Sequence, residues 1–131
     1  MQEPGASRVE TLAKIGASLL AVQCEAAALA PADIDHDAWR HGYSFGFFEA
    51  MAQYADLDQY GDGREMIASA FGKLVDEASR GDELFRGAVA SIDDPRFSAG
   101  AATGAADLMA WAADAEALPT GLARRGRAGE S

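Results

Sequence analysis

The chain has 131 residues, 49% of them hydrophobic, and a formal net charge of −10. That length suits one domain with a real core, which excludes wholesale disorder, and the negative charge argues against a nucleic-acid-binding surface. No apolar run approaches the roughly 18–20 residues of a membrane-spanning helix, and a single cysteine, Cys24, excludes an internal disulfide or a zinc site built on several cysteines.

Residues 1–7 read as a flexible lead. The opening MQEPGASRVE lacks the basic start and apolar stretch of a secretory signal, so a cytoplasmic location is expected. Val9, Leu12, Ile15, Leu19, Leu20, Val22 and Leu29 recur at helical spacing and predict a first helix over 8–30, stopped by Pro31. Asp33 or Asp35 can cap a second helix that runs from about Asp35 to Ala55 or Asp58. QYGDG reads as a turn. A third helix is predicted over 63–79, with Met66, Ala70, Phe71, Leu74 and Val75 inward, and SRGDE breaks it. A short helix over 82–91 carries Leu84, Phe85 and Val89. Asp93, Asp94 and Pro95 then open a last helix that reaches about Ala117, an aspartate cap followed by proline being a strong start signal. Residues 119–131 read as a disordered arginine-containing tail. Without it, residues 1–118 hold 8 Lys and Arg against 20 Asp and Glu, a charge of −12. The expected fold is all-α: a compact bundle over 8–118 of four long helices plus one short helix, with no strand.

One stretch of the second helix is unusual. His41-Gly-Tyr-Ser-Phe-Gly-Phe-Phe48 places four aromatics and two glycines in eight residues, although glycine weakens a helix and aromatics are mediocre helix formers. Trp39, Tyr43, Gly46, Ala50 and Tyr54 share one side, widened by Phe47 and Met51, while His41, Phe45 and Phe48 point elsewhere. Gly42 and Gly46, four apart, make a shallow groove for the backbone of another helix, and Gly100 and Gly104 offer a matching groove on the last helix. At an offset of 58, Trp39–Tyr54 aligns with Phe97–Ala112: Gly42 meets Gly100, Gly46 meets Gly104, Met51 meets Met109 and Ala52 meets Ala110, while Glu49 meets Asp107. Four identities in an alanine-rich sequence leave open a duplicated helical hairpin. The second apolar side of this helix, Phe45, Phe48 and His41, is the expected contact with a partner or with a second copy in a homodimer.

Signals for chemistry are sparse. Asp56, Asp58 and Gly61 fit the opening of a calcium loop, but Tyr60 and Ile67 stand where further oxygen ligands are needed. Asp37 and His41, four apart, are weak candidates for a metal; a helix cap with a carboxylate–imidazole pair accounts for them without one. Cys24 has no nearby base. No cofactor is expected. The expected function is therefore a non-catalytic protein-protein binding module of the inhibitor, immunity, adaptor or chaperone type, facing a basic partner and no membrane. The alternatives are a small-molecule or metal-binding protein or small enzyme using Asp37, His41 and Glu49, and an acidic nucleic-acid mimic that blocks a basic cleft.

Overall fold

The computed structural model describes residues 4–57 and 61–128, with side chains described over 8–57 and 61–124. Among these residues there is no strand. The helices are α1 (Pro4–Ala26), α2 (Ala38–Tyr54), α3 (Asp62–Val75), α4 (Ala78–Ala90), α5 (Pro95–Ala113) and α6 (Gly121–Ala128), with a 3-10 segment, Pro31–His36, between α1 and α2. The chain is an all-helical bundle, and no described helix is long and apolar enough to cross a membrane.

The boundaries differ from expectation where backbone closures override side-chain pattern. Helix α1 stops four residues before residue 30, because Ala28 turns left-handed at φ 54° and the Leu29 N–H returns to the Cys24 carbonyl at 2.9 Å. The break expected at SRGDE falls instead at Asp76, whose φ of 58° ends α3, while the Glu77 N–H bonds back to the Gly72 carbonyl. Aspartate is among the few residues that tolerate that conformation. Ser79 to Glu83 therefore lie inside α4. Helix α5 starts as its signal says, with the Arg96 N–H donating to Asp94 Oδ1 at 2.9 Å and Pro95 in the first turn.

The disordered tail expected from 119 is corrected over the described residues. Gly121 opens a further helix, and Leu122 is fully buried. The twelve-residue calcium loop is also absent as such. Asp56 is left-handed at the end of α2, α3 already begins at Asp62, and Ile67 is buried in it; Asp58 and Tyr60 lie outside the described residues.

Helix α2 is the centre of the molecule, and every residue from His41 to Phe48 is buried. Its most extensive partner is α5, while α3 packs on α1 and α4. A Cβ on Gly42 would fall on the Phe97 carbonyl, and one on Gly46 on the Ala101 carbonyl. In return, a Cβ on Gly100 would fall on the Trp39 carbonyl and one on Gly104 on the Tyr43 carbonyl. Each step of four along α2 is a step of four in the same direction along α5, so the two helices run parallel. The set of contacts also maps onto itself under the 58-residue offset, which exchanges Gly42 with Gly100, Gly46 with Gly104, Trp39 with Phe97 and Tyr43 with Ala101.

The glycines thus allow backbone-to-backbone contact, and the aromatics close its flanks. Phe48 meets Phe71 edge-on at 5.1 Å between centroids, and Phe45 lies between Phe85 and Phe97 at 6.2 and 5.8 Å. The buried Ser44 hydroxyl donates to the Arg40 carbonyl at 2.9 Å. Tyr54, expected inside, is 62% exposed at the end of the helix.

Candidate functional site

The expected interface residues are not on the surface. Phe48 is fully buried, and Phe45 and His41 are 6% exposed, so they cannot cover a second copy. The second apolar side of α2 finds its cover within the chain, from α3, α4 and α5. The expected Asp37–His41 pair is corrected as well. Asp37 caps α2 by accepting from the Trp39 N–H at 3.3 Å, and its other oxygen faces Arg40 Nε at 3.8 Å. His41 Nε2 instead donates to the Leu84 carbonyl at 2.9 Å, with Phe71 and Phe97 edge-on to the ring. A carbonyl can only accept, so Nε2 carries the proton. Burial, the dominant cause, pulls the His41 pKa below its ordinary value and favours the neutral ring over the charged one expected from the sequence.

Asp37, His41 and Glu49 do not converge. Eight residues of helix separate His41 from Glu49, roughly 12 Å of rise. Glu49 is half-buried, and burial raises its pKa. Cys24 is 1% exposed and its thiol is pushed up to about 11 by burial, which suits a small core residue and opposes nucleophilic chemistry. Among the described residues no group of three His, Cys, Asp or Glu side chains is placed to hold a metal ion.

Two polar features remain. The first is an open groove of about 880 Å³ along α3, reached from α1 and α4. Its walls carry six carboxylates, those of Glu10, Asp62, Glu65, Asp76, Glu77 and Asp82, against the cations Arg64 and Lys73. Lys73 already pairs with Glu10 at 2.8 Å, which holds the Glu10 carboxyl below its ordinary range, and Arg64 lies over the Phe85 ring at 5.2 Å. The other five carboxylates have no ion pair among the described residues.

The second feature is a buried cluster joining four helices. Tyr43 on α2 donates its hydroxyl proton to Asp107 Oδ2 on α5 at 2.6 Å, and Gln23 Nε2 on α1 donates to the same hydroxyl at 3.0 Å. Gln23 Oε1 accepts from the Leu122 and Ala123 N–H groups at 2.9 and 3.3 Å, and Asp107 Oδ2 accepts from the Gly121 N–H at 3.0 Å. Burial first, and the adjacent Asp107 carboxylate second, raise the Tyr43 pKa, so the phenol stays a donor. Gln23 had a legible signal: it sits three residues after Leu20 and one before Cys24, on the inward stripe of α1. Counting Val22 as inward misplaced that stripe, for Val22 is 64% exposed and Gln23 only 3%.

Comparison of the chain with protein-family models, with curated proteins and with solved structures finds no match.

Proposed function

We propose that this protein is a non-catalytic binding module that receives a basic segment of a protein partner in the acidic groove along α3. The observation that carries the reading is the groove itself, where six carboxylates meet two cations that are both already engaged. In a body of −12 over residues 1–118, that concentration of negative charge steers a basic surface toward it and strengthens the encounter at low salt. Chemistry is the weaker reading, because Cys24 and His41 are buried and Asp37, His41 and Glu49 stand apart. An acidic mimic of nucleic acid is a variant of the same charge argument. A cytoplasmic setting accords with a single buried thiol.

The same reading extends to the architecture: α2 and α5 are corresponding helices of a duplicated hairpin, supported by the reciprocity of their glycine contacts. The test of function is affinity capture from the native host, comparing wild type with the Glu65→Lys/Asp82→Lys variant. A protein retained by wild type, lost with the variant and eluted by raising salt from about 0.1 to about 0.5 M supports the groove. Identical capture by both chains refutes it.

A further inference from the structure

The first N–H groups of a helix have no partner within it. At α6 they are taken by side chains from elsewhere: Gln23 on α1, 99 residues before Leu122, and Asp107 on α5. The seat is selective. A Cβ at position 121 would come within 2.5 Å of Asp107 Oδ2 and 2.8 Å of Tyr43 Cε2, so glycine is favoured at this turn. Leu122 is fully buried and Ala123 is 6% exposed. The seat thus reads three consecutive backbone N–H groups, a glycine and an aliphatic side chain.

The segment that leads to α6 is built differently. Residues 114–118 are all exposed. Their hydrogen bonds are local: Asp114 N–H to the Ala110 carbonyl, Glu116 N–H to Asp114 Oδ1, Ala117 N–H to the Asp114 carbonyl and Leu118 N–H to the Glu116 carbonyl. Seven residues, 114–120, separate the end of α5 from Gly121, enough to span at most about 24 Å when extended. Such a tether is long enough to carry α6 off its seat, and the packing lost is that of the buried Pro119, Leu122 and Ala123. An emptied seat leaves Gln23 and the half-buried Asp107 without the three N–H groups they now accept from, and a second copy carries the same turn. Charge agrees, since residues 119–131 hold three arginines and one glutamate against the −12 of residues 1–118.

We propose that α6 is an exchangeable strap, and that the Gln23–Tyr43–Asp107 seat binds the helix-opening turn Gly121–Ala123 either of its own chain or of a second copy. The experiment uses fluorescent peptides spanning residues 117–128, one wild type and one with Gly121→Ala, which carry the same charge. The target is the full chain with Gly121→Ala, in which the added Cβ crowds Asp107 and Tyr43 and weakens the hold of its own strap. The wild-type peptide binds saturably and at least about tenfold more tightly than the alanine peptide, a difference of about 1.4 kcal/mol. Equal affinities reduce the contact to charge attraction and overturn the proposal, as does the absence of saturable binding. Amide exchange on the wild-type chain decides the matter even if the substituted chain does not fold. The Leu122 and Ala123 amides exchange at least about a hundredfold faster than the Phe47 amide if the strap opens by itself. Exchange of all three at one common rate overturns the proposal, because the seat then empties only when the whole chain unfolds.

Discussion

Replacing Gly46 by alanine adds one methyl group where the structure has room for none. The new Cβ would lie 2.6 Å from Ala101 Cα and 2.7 Å from its carbonyl carbon, and closer still to the oxygen. Carbon atoms in contact prefer about 3.5–4.0 Å, so α5 must retreat by about 1 Å. Every atom in the way is backbone, and a helix moves as a rod, so the gap opens along the whole pair of helices. Overpacking of this kind costs about 1–3 kcal/mol. Alanine returns about 1 kcal/mol of helix propensity. At the upper end of that range, favoured here because the obstacle cannot rotate away, the net loss is about 2 kcal/mol. With an unfolding entropy of about 2.1 cal/mol/K per residue, the melting temperature of this chain drops by about 7 °C. Gly87→Ala is the milder comparison: its Cβ meets only one side-chain atom, His41 Cε1 at 3.2 Å, so it melts higher than Gly46→Ala. The double variant Gly46→Ala/Gly104→Ala loses less than the sum of its parts, because one retreat of α5 relieves both clashes. Calorimetry and urea melts measure all four chains. Gly46→Ala melting at or above wild type, alongside Gly87→Ala, refutes the close contact.

Two further outcomes follow from burial. The His41 pKa is lowered in the folded chain, so the unfolded chain binds the proton more readily; stability is full above the unfolded value of about 6.5 and declines as pH falls below it towards the folded value. Asp35 opposes that lowering and Arg80 adds to it, and urea midpoints between about pH 5.5 and 7.5 should show a slope that flattens in His41→Gln; an unchanged slope refutes the assignment. Phe48→Glu should abolish cooperative melting, because it drives a carboxylate among Phe47, Phe71 and Gly16; a folded variant with the wild-type melting temperature would place Phe48 outside the core.

The sequence made the helices legible, but not how the ends of some of them close. Period and proline placed the start of α5 and the body of α2, since Asp94–Pro95 and the Trp39–Tyr54 pattern are strong local signals, but α5 ends at Ala113 and not near Ala117, and Asp37, not Asp33 or Asp35, caps α2. The end of α1 and the α3–α4 break were misplaced because left-handed Ala28 and Asp76 are set by backbone closure, and neither residue announces it. The glycine pairs disclosed a close helix contact, though not the parallel, reciprocal form it takes. The aromatic surplus was misread by assuming that one side of α2 suffices for the core. A central helix in a small bundle is covered on every side, so Phe45, Phe48 and His41 needed no second copy. The tail was misread through composition: arginine and glycine suggest disorder, yet Leu122, Asp107 on the preceding helix and Gln23, 99 residues before Leu122, hold the start of α6.

The polar cluster sits where the proposed duplication is broken. Under the 58-residue offset Asp107 corresponds to Glu49, and Ala101 to Tyr43. In one half, the Tyr43 hydroxyl reaches Asp107, and the pair is completed by Gln23 and the first turn of α6. In the other half the tyrosine is replaced by Ala101, which offers no donor, and burial alone raises the pKa of Glu49. The same pair of positions is thus a satisfied network on one side and a half-buried carboxyl on the other. A seat for a C-terminal strap needs all of Tyr43, Asp107 and Gln23, so it can exist on only one side of the bundle. The reciprocal glycine contact is common to both halves of the proposed duplication, and the single tyrosine supplies the asymmetry on which the proposed strap seat depends.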